Sequence, residues 1–109
     1  MSDSEEDLVV NQPMLEERDF DATMLKDYAK MKQSYQTTPV LTKYEKTRVL
    51  AERASQIANG SPVFIPNPEN YANVYDIALK ELSLKKIPFI VKRPYGNGYE
   101  YWKLGDLIV

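Results

Sequence analysis

A chain with neither cysteine nor histidine has no disulfide or zinc staple with which to hold a small fold together, and this one lacks both across its 109 residues. Whatever folds must rely on apolar packing and on contacts to a larger partner. The same two absences remove the common thiolate and imidazole metal sites, the Ser-His and Cys-His nucleophile pairs, and the usual neutral-pH general base. No run of roughly 18 apolar residues offers a membrane span, and the acidic start lacks the apolar stretch of a secretory signal.

Charge divides the chain in two. Residues 1–27 hold nine acids (Asp3, Glu5, Glu6, Asp7, Glu16, Glu17, Asp19, Asp21, Asp27) against Arg18 and Lys26, whereas the rest carries twelve Lys/Arg against seven acids. Residues 1–21 are acidic and aperiodic, which predicts a disordered interaction arm. Residues 22–33 contain good helix formers and allow a short helix. Residues 34–39 read as a linker in which Pro39 biases Thr38 toward an extended backbone. The expected division is an acidic, mostly disordered tail and linker over 1–36, then a folded domain over 37–109.

Pattern becomes sharp at Thr42-Lys43-Tyr44-Glu45, a capping box. The helix it opens is expected to reach about residue 59, with Gly60 as the left-handed residue that ends it. Thr47, Leu50, Ala51, Ala54, Ile57 and Ala58 fall within one arc and form the expected core face, leaving Val49 outside it. Pro62 and Pro66 bar residues 62–66 from a central strand. Asn73 caps a second helix through about residue 84, with Asp76 at N3 and with Ile77, Ala78, Leu82 and one of Tyr75 or Leu79 on its apolar side. Residues 87–93 read as a strand, Gly96-Asn97-Gly98 as a turn and residues 99–102 as the returning strand. The apolar terminus at 104–109 is expected to dock. The expected fold class is therefore α+β: two helices and a C-terminal β-hairpin behind a disordered acidic tail.

Few constellations carry chemistry. Asp76 with Glu81, and Glu45 with Glu52, are carboxylate pairs on single helices, but cap and surface roles account for them. Lys85, Lys86, Lys92 and Arg93 lie in sequence near Tyr95, Tyr99 and Trp102. They are a candidate nucleic-acid surface, to be weighed against a solvated basic strand. Arg48, Arg53 and Gln56 flank the core stripe with a Val49 expected to be exposed, which suggests contacts beyond the domain. Phe20, within Asp19-Phe20-Asp21, is a candidate docking residue of the tail. Ser2 and Ser4, followed by acids, resemble acidophilic kinase sites.

Thr37-Thr38-Pro39, then Leu41 through Leu50 (LTKYEKTRVL), then Arg53-Ala54-Ser55-Gln56-Ile57-Ala58 resemble the small subunit shared by eukaryotic nuclear RNA polymerases I, II and III. Archaeal subunit K and bacterial omega are its counterparts. Asp76-Ile77-Ala78-Leu79-Lys80-Glu81-Leu82, Lys85-Lys86-Ile87-Pro88, Lys92-Arg93, Tyr101-Trp102 and Asp106-Leu107-Ile108-Val109 follow in the same order. Ala51 stands where the family often has Gly, Ser55 where it has Leu, and the loop from Asn67 to Tyr71 is atypical, which leaves a cellular or large-DNA-virus source open.

The resemblance implies an omega-like domain and a non-catalytic role in transcription. Such a subunit latches the largest polymerase subunit at the base of the clamp and aids assembly. It meets DNA only through the complex and needs no cofactor of its own, the catalytic Mg²⁺ belonging to another subunit. It implies a nuclear location, or a virion or virus factory if the source is viral, with no membrane partner. A general transcription factor is the implied partner of the acidic tail. The contact candidates carried over are Tyr44, Glu45, Arg48, Arg53, Gln56, Lys80, Glu81, Pro88, Arg93 and Trp102. The competing reading is a free-standing nucleic-acid-binding module that uses the basic hairpin.

Overall fold

The computed structural model describes residues 14–20 and 22–109. In chain order the elements are strand β1 (Leu15–Glu16), helix α1 (Ala22–Lys32), helix α2 (Lys43–Ala58), helix α3 (Val74–Ser83), strand β2 (Phe89–Tyr95) and strand β3 (Gly98–Lys103). Single turns of 3-10 helix lie at Glu17–Asp19, Pro68–Asn70 and Leu104–Asp106. The two expected helices and the hairpin are all present, α1 lies over the 22–33 stretch that allowed a short helix, and β1 is added to them.

Both long helices are delimited by the expected residues. The Thr42 hydroxyl accepts from the Glu45 N–H at 3.2 Å, and the Glu45 carboxylate accepts from the Thr42 N–H at 2.9 Å. Asn73 Oδ1 accepts from the Asp76 N–H at 2.9 Å and starts α3. At the end of α2, Gly60 is left-handed with φ of 98°. The Gly60 and Ser61 N–H groups close a Schellman motif onto Ile57 and Gln56. α3 ends the same way on Leu82 and Glu81, but with Lys85 in the left-handed position at φ of 58°.

The sheet is antiparallel in the order β1-β2-β3, with Leu15 opposite Ile90, Val91 opposite Trp102 and Pro94 opposite Tyr99. Helices α2 and α3 pack on each other and on the sheet. The core joins Val49 and Leu50 from α2, Ala78 and Leu82 from α3, Phe89 and Val91 from β2, and Trp102 from β3 with Leu41, Ile87, Leu104 and Leu107. Ile90, on the other face of β2, is also buried, so the central strand is covered on both sides. The terminus docks as expected: Ile108 bridges Val40 in parallel, accepts from the Leu41 N–H and donates to Pro39 O, both at 2.8 Å.

Three expectations change. The buried stripe of α2 is Glu45, Val49, Leu50 and Arg53, with Val49 fully buried, while Thr47, Ala51 and Ala58 are exposed. The stripe is rotated because two ionic side chains, which apolar periodicity leaves out, point inward. On α3, Tyr75 and Leu79 are both exposed and Glu81 takes the buried position. Residues 14–20 and 22–36, read as arm and linker, are packed on the sheet. Met14 and Tyr35 lie against the core, the Glu17 N–H donates to Pro88 O at 3.0 Å, and the Phe20 ring meets Tyr101 edge-on at 5.5 Å. The segment carries no clear core pattern because it is held largely by polar and aromatic contacts. Ser2 and Ser4 lie outside the described residues.

Candidate partner interface

Two buried ion pairs set the positions of the helices. Arg53 Nε donates to Glu81 Oε1 at 2.6 Å and its second terminal nitrogen to Oε2 at 3.0 Å, a bidentate pair with both side chains almost fully buried. The remaining Arg53 donors reach Gln56 Oε1 (3.0 Å) and Pro62 O (2.7 Å), and Glu81 also accepts from the Phe64 N–H at 2.8 Å. One pair thus ties α2, α3 and the segment after α2 together. The second pair is Arg93 on β2 with Glu45 in the first turn of α2, bidentate at 2.8 Å for both bonds. Arg93 also donates to Val40 O at 2.9 Å, to Thr38 O and to Thr37 Oγ1. It therefore holds the entry to α2 onto the sheet.

A third carboxylate, Glu100, is buried beside this second pair. It accepts from the Gln36 N–H (2.8 Å), the Thr37 N–H (3.0 Å) and the Thr37 hydroxyl (2.6 Å). That hydroxyl in turn accepts from Trp102 Nε1 at 2.8 Å. Burial alone would raise the pKa of Glu45 and of Glu100. Arg93 and Thr42 outweigh it at Glu45, and Thr37 and Gln36 outweigh it at Glu100, so both end below the ordinary carboxylate value.

A carboxylate that binds protons less readily when folded contributes stability above its unfolded pKa and loses it as pH falls through the folded value. The melting temperature is therefore expected to be level from neutral pH to about pH 5 and to drop below about pH 4, near the unperturbed carboxylate range. Glu100→Gln should make that acid limb shallower. An acid limb unchanged in the variant would contradict the assignment.

The sequence-derived contact residues separate into two groups. Glu45, Arg53, Glu81, Arg93 and Trp102 are buried within the chain, their polar atoms engaged by its own residues, so they do not present themselves to a partner. Tyr44 and Lys80 are exposed, and Arg48, Gln56 and Pro88 are half-buried. Phe20 is half-buried on Tyr101. The basic hairpin surface is also not assembled as expected. Arg93 and Trp102 face inward and the Lys92 ammonium sits 4.1 Å from the centre of the Tyr99 ring, which leaves Lys85 and Lys86 as its exposed cations.

What α2 and α3 do present outward is small and apolar. Thr47 and Ala51 floor a hollow of about 350 Å³, with Lys43, Lys46, Leu50 and Tyr75 around it. One turn along α3 from Tyr75, exposed Leu79 lines a second hollow of about 410 Å³ with Tyr71, Ala72, Lys80 and Ser83. Tyr75 is 50 % and Leu79 39 % exposed, so an apolar strip runs along the outer side of the helix pair. Helical periodicity alone had placed the Thr47 and Ala51 side in the core. The buried pairs were missed because their members stand 28 and 48 residues apart, with no local signal. Among the described residues, no group of three or more His, Cys, Asp or Glu side chains is placed to hold a metal, and no helix is long and apolar enough to cross a membrane.

Residues 37–89, which run from the Thr37 contact through both ion-paired helices to the start of β2, match the family model described as RNA polymerase Rpb6. The chain belongs to the Rpb6 family. It is 43 % identical over 86 residues to the DNA-directed RNA polymerases I, II, and III subunit RPABC2 of Saccharomyces cerevisiae, covering 78 % of this chain and 55 % of that one. The Schizosaccharomyces pombe subunit of the same name is 44 % identical over 78 residues, 71 % of this chain and 54 % of the relative. A probable RPABC2 of Caenorhabditis elegans is 47 % identical over 72 residues, 65 % of this chain and 52 % of the relative. The chain thus spans about half the length of the curated Rpb6 relatives it matches. The Rpb6 match takes in Glu45, Arg53 and Glu81, and stops short of Arg93.

Proposed function

We propose that the chain is a non-catalytic assembly subunit of a multisubunit DNA-directed RNA polymerase, latching the largest subunit at the base of the clamp. The observation that carries this reading is membership of the Rpb6 family at 43–47 % identity to subunits named for polymerases I, II and III. The exposed apolar strip on α2 and α3 supports it, since a fold with few apolar elements and no staple leaves an uncovered helical face where a larger neighbour would sit. In this role the chain brings no cofactor, DNA is met only through the complex, and the site of action is the nucleus. A transcription factor docking on the acidic arm would meet a Phe20 already packed on Tyr101. The alternative, a free nucleic-acid-binding module, loses two of its proposed contacts because Arg93 and Trp102 are buried.

Ala51→Arg places a long cation on the floor of the hollow without touching the buried pairs. Captured from extract, tagged Ala51→Arg is expected to lose the largest polymerase subunit at least tenfold relative to Lys92→Glu, with its own melting temperature unchanged, since overfilling a packed contact costs about 1–3 kcal/mol. Equal capture by both variants would count against this face as the interface.

A further inference from the structure

β3 is the last strand of the sheet, and the outer side of such a strand carries a row of unpaired N–H and C=O groups. Here two side chains occupy that row. The Tyr35 hydroxyl donates to Tyr101 O at 2.9 Å and accepts from the Tyr101 N–H at 3.3 Å. The Tyr28 hydroxyl accepts from the Lys103 N–H at 3.0 Å and donates to Asp106 Oδ2 at 2.8 Å. Alternation then assigns Tyr99, Tyr101 and Lys103 to the side of β3 that faces away from β2. It also explains Pro94: opposite Tyr99, it sits at a position where no N–H is needed between the two strands.

The contacts that hold these tyrosines are aromatic and ionic. Tyr35 lies 5.2 Å from the Trp102 ring and 6.5 Å from Tyr28, and Lys32 and Lys103 sit 5.6 and 5.2 Å from the Tyr28 ring centre. The strand they cover, GYEYWK, is rich in strong β formers, and its one acid and one base cancel. A strand of that composition, if uncovered, is suited to edge-to-edge pairing.

We propose that α1 with the turn that follows it is an edge guard. The Tyr28 and Tyr35 hydroxyls keep the outer edge of β3 closed, and when this segment lifts the edge pairs antiparallel with β3 of a second copy of the chain. Charge complementarity favours a second copy. Antiparallel pairing centred on Tyr101 sets Tyr99 of each copy opposite Lys103 of the other, with no like charges facing. The chain already makes such a cation–ring contact between Lys92 and Tyr99.

The test is amide hydrogen exchange and sedimentation on the full chain, wild type against the double variant Tyr28→Phe, Tyr35→Phe. In the wild type the Tyr101 and Lys103 amides are expected to exchange at least about tenfold more slowly than the outward Tyr99 amide, which neither hydroxyl engages. In the double variant that protection is lost while the Leu82 amide in α3 is unchanged. At higher concentration the variant should form dimers in which Tyr101 and Lys103 regain protection. Unchanged exchange at these two amides overturns the guard, and faster exchange in a strictly monomeric variant overturns the second copy as its occupant. Should the Leu82 amide also exchange fast, Tyr35→Phe alone is read at Tyr101, where retained protection overturns the guard and lost protection supports it.

Discussion

Arg53→Met with Glu81 left in place is expected to destabilise the fold by about 3–5 kcal/mol, the cost of stranding one member of a buried ion pair. Glu81 is fully buried, and of the three hydrogen bonds it accepts only that from the Phe64 N–H would remain. A loss of this size is a large part of the roughly 5–15 kcal/mol of a normal domain, so the variant would be near unfolding at 37 °C. The pair as such need not be worth that much. Exchanging both members for apolar residues of similar volume is often neutral, so Arg53→Met with Glu81→Leu should recover at least about 2 kcal/mol of the loss. It should not recover all of it, because the Phe64 N–H and Pro62 O would each lose a partner. Urea denaturation of the two single variants and the double variant measures the coupling. Additive single effects would mean that the two side chains do not depend on each other.

The second large effect is expected at Arg93, and here even a conserved charge does not suffice. Each guanidinium nitrogen is in use, with five acceptors spread over Glu45, Val40, Thr38 and Thr37. Arg93→Lys keeps the positive charge but offers three donors from one point in place of a planar fork. Losing two or more charge-assisted bonds in a buried setting is expected to cost at least about 3 kcal/mol. The residues released are the entry to α2 and the 37–40 segment, whose Val40 bridges Ile108 at the chain terminus. A Lys variant as stable to urea as the wild type would show that the charge alone, without the fork, holds this junction.

These two arginines also mark what could and could not be read from the residues. Local chemistry was legible. The capping box at Thr42, the Asn73 cap, the left-handed Gly60 and the turn at Gly96 all depend on neighbours within a few positions. The family resemblance carried by residues from Thr37 onward was legible too. The orientation of α2 was not, because a periodicity count assumes that charged residues face water. Glu45 and Arg53 violate that assumption only because Arg93 and Glu81, far along the chain, complete them. The contact candidates came instead from the family resemblance, which says nothing about burial. Arg53 was read as an ordered interface arginine and Arg93 as part of a basic surface, whereas each is bidentate to a carboxylate of this chain. The exposed helical face had meanwhile been counted as core.

The packing of the segment before Thr37 escaped for a different reason. Its attachment depends on tyrosine hydroxyls, a two-residue strand and backbone donors to Glu100. None of these has a periodic signature. Sequence reasoning gave Glu100 no site role and Thr37 none beyond the family motif, although Thr37 joins Glu100, Trp102 and Arg93 at a single hydroxyl.

The central claim is that this chain works as part of a much larger transcribing assembly. Gradient sedimentation of a native extract, with the untagged chain followed by antibody and RNA synthesis assayed across the fractions, addresses it most directly. The account predicts that the chain travels in the fast fractions together with DNA-dependent RNA synthesis. Recovery of essentially all of it at the top of the gradient, as a lone small protein apart from that activity, would contradict the account.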